Sequence, residues 1–172
     1  CVTTNNLLSP KAALDVVRRY GEAMPVDIFG LARELGLGPV AENLGADISG
    51  LIRRNPDGTM TVVYNRSQAR TRQRFTTAHE IGHFIFHRDR LQAGVSDTLA
   101  FRADTNFMPN PAIGREQEWQ ANNFAANLLV PDRWLRAAKA AGFNSVDELA
   151  AKFEVSPAVM RIKLGIPRED AA

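Results

Sequence analysis

Apolar residues at helical spacing open the chain. The first such run lies between Ser9, which is followed by proline, and Gly21, so we expect a helix capped by Ser9. A second run, residues 28–35, follows Asp27 and is stopped by Gly36. The pattern therefore predicts two short helices at the start of the chain.

The pattern then changes from helical to strand-like. Residues 51–54 and 59–64 are β-prone runs, and between them lies the turn sequence Asn55-Pro56-Asp57-Gly58. This arrangement predicts a β-hairpin. Residues 40–48 are ambiguous and could hold one further short strand.

Helical spacing returns after the hairpin, where we expect Asn65 or Ser67 to be the N-cap. A glycine inside a helix costs about 1 kcal/mol relative to alanine, and a closely packed neighbouring helix would explain Gly82. Four apolar or small residues are expected to face the core: Phe75, Ala78, Gly82 and Phe86. Four arginines near the start of the helix are expected to form a solvated basic face: Arg66, Arg70, Arg72 and Arg74.

The rest of the chain is predicted to be mainly helical. Residues 115–129, 132–142, 145–153 and 157–164 each have a helical pattern, and Ser145 with Glu148 is typical of a capping box. The last two helices could form a helix–turn–helix that binds DNA. However, Arg161 and Lys163 lie among apolar residues there, which favours packing over base readout.

Composition narrows the class of protein. The chain has 172 residues, of which 45% are hydrophobic, so we expect residues 1–172 to form one domain with a helical segment at 145–166. A net charge of +2 is too small to indicate nucleic-acid binding. No membrane-length apolar run or signal peptide is evident. Cys1 is the only cysteine, which suits a reducing cytoplasm, and its terminal place suggests a trimmed or processed form.

All three histidines lie between His79 and His87, and two of them frame the motif His79-Glu80-Ile81-Gly82-His83. Residues four apart share one face of a helix, so both imidazoles can reach one Zn²⁺. Glu80 cannot reach the same ion without strain. Its position instead suits a general base that takes a proton from water activated by the metal.

Two residues compete as third ligand. His87 lies about 12 Å along a straight helix from His79, too far to share the ion. The longer histidine motif that bends back after a glycine is also absent, since Phe86 and Asp89 occupy the required positions.

The better candidate is Glu118, which shares one face of a predicted helix with Ala121, Asn122 and Ala125. Small residues there would let this helix approach the motif helix closely. We therefore predict that Glu118 is the ligand, and that Asn122 and His87 contact the ligands as outer partners.

The sequence resembles the ImmA/IrrE family of zincin-like bacterial metallopeptidases. The resemblance rests on two stretches, residues 74–83 followed by His87, and residues 118–131. Weaker matches extend it over roughly residues 10–166. The resemblance implies an α+β, gluzincin-type fold in which a small three-stranded sheet packs on the motif helix. It also implies one Zn²⁺ held by His79, His83 and Glu118, with Glu80 as base.

The resemblance implies a protein substrate, typically a helix-turn-helix repressor of the XRE type encoded nearby, whose cleavage starts a stress response or releases a mobile element. In zincins a strand beside the cleft often pairs with substrate. An edge strand with this role, or a strand that only covers the core, is expected at Met60, Thr61, Val62, Val63 and Tyr64. The alternative function is a non-cleaving regulator, for example of the toxin–antitoxin type, that binds a repressor-like partner or DNA.

Overall fold

The structure is a computed structural model that describes residues 7–92 and 113–167; Cys1 lies outside them. Within these residues the fold is α+β, with one small sheet and helices around it. The elements, in chain order, are α1 (Pro10–Tyr20), α2 (Ile28–Glu34), β1 (Val40–Glu42), β2 (Gly50–Arg54), β3 (Met60–Asn65), α3 (Arg70–Phe86), α4 (Arg88–Gln92), α5 (Arg115–Leu129), α6 (Asp132–Ala140), α7 (Val146–Phe153) and α8 (Pro157–Leu164).

Side-chain caps begin the first two helices, as predicted. The backbone N–H of Ala12 donates to Ser9 Oγ at 3.2 Å, and that of Gly30 donates to Asp27 Oδ1 at 2.9 Å. Each cap satisfies a backbone N–H that has no partner within the helix. Both predicted helices are confirmed, with α2 ending one residue earlier than expected.

The sheet has the strand order β1-β3-β2. The predicted hairpin is confirmed, since β2 and β3 pair antiparallel and Asn55 N–H donates to Thr59 O across the turn at 2.8 Å. Strand β1 pairs parallel with β3, with Val40 opposite Val63. The ambiguous segment at 40–48 therefore contributes a three-residue strand.

The expectation of an edge strand at residues 60–64 is wrong. Strand β3 is central in the sheet, with β2 on one side and β1 on the other. The N–H of Val62 also donates to Leu37 O at 2.8 Å. Backbone groups occupied in this way cannot pair with an added substrate strand, so the alternative, a strand that covers the core, fits β3.

Helix α3 begins later than predicted, at Arg70 with Ala69 as N-cap, so the expected caps Asn65 and Ser67 are wrong. The side chain of Asn65 instead holds the preceding loop. Its Nδ2 donates to Gly45 O and Ile48 O, at 2.6 and 2.8 Å, and its Oδ1 accepts from Ser67. A buried asparagine satisfied in this way has no capacity left for capping.

Two expectations about the faces of α3 are also wrong. Phe86 is 49% exposed, because it lies at the last turn of the helix, where its ring meets that of the half-buried Phe124. Arg74 is buried, with 3% of its surface exposed, and donates to Val26 O and Glu154 O at 3.0 and 3.2 Å. It thus joins the helix to the segments before α2 and after α7. Burial lowers its pKa.

Helix α3 is the centre of the described structure. Every residue from Arg74 to Ile85 is buried, and the helix contacts the sheet, α1, α2, α4 and α5. The predicted packing of the sheet on the motif helix is therefore confirmed. A helix enclosed on all sides has no solvent face, which explains why its apolar residues form no clean stripe.

The C-terminal helices pack back on this centre. The predicted capping box is present, since Glu148 N–H donates to Ser145 Oγ and Ser145 N–H donates to Glu148 Oε2, each at 3.1 Å. Helix α8 packs on α5, with Val159 and Met160 buried. Lys163 of α8 forms an ion pair with Asp132 of α6, with 2.6 Å between Nζ and Oδ1. No helix in the described part of the chain is both long and apolar enough to cross a membrane.

Candidate metal centre

The two motif histidines lie on one face of α3 with their rings in contact. Their Nε2 atoms are 2.9 Å apart, and the rings meet edge to face with 4.6 Å between their centroids. Both side chains are almost completely buried. Two ligands on one tetrahedral zinc ion, each about 2.0–2.1 Å from it, lie about 3.3 Å apart, so this pair is already close to the spacing that one ion needs.

Helix α5 brings the third predicted ligand to the same point. Glu118 Oε2 lies 3.4 Å from His79 Nε2, and Glu118 Oε1 lies 3.3 Å from His83 Nε2. One ligand atom from each residue falls within 4.8 Å of the others. Burial opposes ionisation of Glu118, but the two neighbouring histidines outweigh it and lower the pKa of the carboxyl group.

The close approach of α3 and α5 depends on Gly82. A Cβ atom added at this position would lie 3.0 Å from Phe124 Cδ1 and 3.3 Å from the Cα of Ala121. Ala121 and Ala125 are both fully buried on the facing side of α5. Small residues on both helices therefore let Glu118 reach the histidines, as the sequence had led us to expect.

A Gly82→Val substitution is expected to lower the free energy of unfolding by about 1–3 kcal/mol, as overpacking of a core does. Because the displaced element carries Glu118, metal affinity should fall as well. Chemical denaturation and a zinc titration measure the two effects. Ala137→Val, at an exposed position of α6, is the control and should cost well under 1 kcal/mol. Equal effects of the two substitutions would contradict the role given to Gly82.

Outer partners hold both histidine rings. His79 Nδ1 lies 3.0 Å from Asn122 Oδ1, which is the contact expected from the sequence. His83 Nδ1 lies 3.0 Å from His87 Nδ1, so His87 also lies where an outer partner was predicted. Sequence reasoning missed Gln120, whose Oε1 lies 2.9 Å from His87 Nε2. Gln120 is rotated about 200° from Glu118 around α5, so the helical repeat gave no reason to place it near a histidine.

These contacts leave the ligand atoms suited to a cation. An amide oxygen only accepts, so Asn122 places the proton of His79 on Nδ1 and leaves a lone pair on Nε2. Burial lowers the pKa of His83, which favours a neutral ring there too. Lone pairs and a carboxylate that converge in a buried site repel one another unless a cation lies between them. The donor set of two imidazoles and one carboxylate fits catalytic zinc.

Glu80 is buried beside this cluster. Its side chain has no exposed surface, and neither carboxyl oxygen has a hydrogen-bond partner among the described residues. Burial, and then the negative charge of Glu118, raise the pKa of Glu80 well above its usual range. An unsatisfied buried carboxyl group destabilises a fold, so its presence next to three possible ligands indicates a chemical role.

The residues of β3 that were candidates for substrate binding contact the sheet and the core. Tyr64 packs on Phe29, with 5.0 Å between ring centroids, and Thr61 Oγ1 accepts from Asn55 Nδ2 at 3.0 Å. The other three candidates on β3 are buried: Met60, Val62 and Val63. These contacts position the sheet against the core and give no indication of a substrate subsite.

Comparison with known proteins agrees with the geometry. The family model described as the IrrE N-terminal-like domain, peptidase family M78, matches residues 32–165. No curated protein matches the chain significantly. The matched range contains both helices that carry the cluster, from the motif on α3 to Glu118 on α5. The chain therefore belongs to the M78 peptidase family of the IrrE N-terminal-like domain, which is a family of metallopeptidases.

Proposed function

We propose that this protein is a zinc-dependent peptidase of the gluzincin type, in which His79, His83 and Glu118 hold one Zn²⁺ and Glu80 is the general base. The observation that carries the proposal is the buried, unsatisfied carboxyl group of Glu80 beside three converging ligand atoms. A purely structural zinc site has no use for a base next to it. It also commonly has four protein ligands, whereas the cluster offers three among the residues that the structure describes.

A bound Zn²⁺ supplies Lewis-acid chemistry, which polarises a scissile carbonyl and acidifies water. The residues of the chain orient the ligands, exclude bulk water and transfer the proton. Asn122 and His87 keep the two imidazole rings aimed at one point, and the buried setting excludes bulk water. Glu80 accepts a proton from the attacking water and later delivers it to the leaving amine. Burial and the negative charge of Glu118 raise the pKa of Glu80, so its carboxyl group holds a transferred proton more readily than an exposed one would.

The proposed substrate is a protein, and specifically a helix-turn-helix repressor of the XRE type encoded near the gene. The support for this substrate is the resemblance to the ImmA/IrrE family. Cleavage of a repressor would switch on a stress response or a mobile element, and it would take place in the cytoplasm, the compartment that a chain with one cysteine suits.

The direct experiment incubates the zinc-loaded protein with that repressor and identifies the products by mass spectrometry. A discrete cut at one peptide bond, abolished by a chelator and restored by zinc, is the expected result. If the two proteins form a stable complex and no cut appears, the peptidase proposal for this substrate fails. The alternative of a non-cleaving regulator then takes its place.

A further inference from the structure

His83 has an unusual outer partner. Ligand histidines most often donate their second ring N–H to a carboxylate, a backbone carbonyl or water. Here the atom facing His83 Nδ1 is the Nδ1 of another histidine, His87, at 3.0 Å. A ring nitrogen can be either donor or acceptor, so this contact alone leaves the proton position of His83 undecided. Only 6% of the surface of His87 is exposed, so few other groups can determine where its proton lies.

Gln120, the partner of His87, determines which ring nitrogen of His87 carries the proton. The Nε2 of His87 lies 2.9 Å from Gln120 Oε1, and the amide of Gln120 is turned so that its Nε2 lies 3.5 Å from Glu116 Oε1. The amide therefore presents its oxygen to His87, and the proton of His87 must be on Nε2. In a neutral His87 ring, Nδ1 is then an acceptor, so His83 donates to it and the Nε2 of His83 keeps its lone pair.

The opposite arrangement would prevent metal binding. If His87 carried its proton on Nδ1, it would donate to His83, whose own proton would move to Nε2. That N–H would point at the place where His79 Nε2 and Glu118 converge. A protonated ring nitrogen cannot be a metal ligand, so the choice of tautomer determines whether His83 can bind.

We propose that Gln120 and His87 are positioning residues that together hold His83 in its metal-binding tautomer. The proposal rests on the metal centre proposed above. Neither residue contacts the ion: Gln120 acts through His87, and His87 acts through His83. Because Asn122 orients His79 through a separate hydrogen bond, the two histidines are held independently, both by amides of α5.

The test is the dissociation constant for Zn²⁺, measured by competition with a chromophoric chelator. Gln120→Met keeps the length of the side chain and removes the acceptor, and it should weaken binding about tenfold, the lower end of what outer partners contribute. Since Gln120 is exposed, the substitution should leave folding intact. Asn123→Ala is the control: Asn123 is a half-buried neighbour whose side chain donates to Trp119 O at 2.8 Å, and the variant should bind zinc as the wild type does.

A second variant makes the test specific to the tautomer. His87→Asn places an amide oxygen near the former Nδ1, and this oxygen accepts from His83 whatever Gln120 does. Zinc affinity should therefore stay within about threefold of wild type. Adding Gln120→Met to His87→Asn should cause no further loss. By contrast, the losses from Gln120→Met and Asn122→Leu should add, because these amides act on different rings.

The outcomes separate this proposal from the metal centre on which it rests. If the wild type binds no zinc, the metal centre fails and the positioning role fails with it. If the wild type binds zinc and Gln120→Met binds equally well, the metal centre stands and the positioning role is overturned. The same conclusion follows if Gln120→Met weakens binding as much in the His87→Asn background as in the wild type.

Discussion

The Glu80→Gln substitution is expected to slow hydrolysis of the peptide bond by about 10²–10⁴-fold, the range that a positioned general base contributes. Glutamine has nearly the same shape as glutamate but cannot accept a proton from water. The proposed ligands His79, His83 and Glu118 are unchanged, so we expect zinc still to bind with one ion per chain. The rate of peptide-bond cleavage is measured with the proposed repressor as substrate, and the zinc content is measured on the same preparation of the variant.

The control for this substitution is Asp147→Asn, which makes the same change from carboxyl to amide at an exposed position of α7. It should cleave at the wild-type rate. A Glu80→Gln protein that cleaves as fast as the wild type would remove Glu80 from the mechanism. Loss of zinc together with activity would instead show that Glu80 acts on the ligands rather than on water.

Zinc is expected to stabilise the folded protein strongly. At free zinc about 1,000 times the dissociation constant, the gain in unfolding free energy is about 4 kcal/mol. The physical reason is that Glu118 lies on a different helix from His79 and His83, so the site exists only when α3 and α5 are packed. Denaturant titrations in zinc buffer and in chelator measure the difference.

Most of this gain should be lost in Glu118→Gln. An amide carries no charge and is a poor ligand for zinc, so the site keeps its shape while losing its anionic member. Asp147→Asn is the control, because it makes a carboxyl-to-amide change at an exposed position of α7, away from the three residues. If Glu118→Gln were stabilised by zinc as much as the control, Glu118 would not be a ligand.

Local chemistry explains which parts of the fold could be predicted. The caps of α1 and α2 and the turn at Asn55–Thr59 use hydrogen bonds between residues two to four apart, so the necessary groups are visible in a short stretch of sequence. The strand order is different. Nothing within residues 40–65 shows that β1 pairs parallel with β3 and makes it central, since that depends on where the whole hairpin lies.

The same distinction holds at the site. His79 and His83 follow from the helical repeat, and Glu118 with Asn122 follows from one face of a second helix. Gln120 belongs to another side of α5, and it meets His87 only because of the way α3 and α5 cross. Arg74 was likewise unpredictable: the backbone carbonyls to which it donates lie at residues 26 and 154, far along the chain in both directions.

X-ray diffraction at the zinc absorption edge, from crystals of the zinc-loaded protein, shows whether His79, His83 and Glu118 hold one zinc ion beside Glu80. We expect a single anomalous peak bonded to the Nε2 atoms of both histidines and to the Glu118 carboxylate, with an open position next to Glu80. A peak ligated by His87 in place of Glu118, or no peak among these residues, would contradict this assignment.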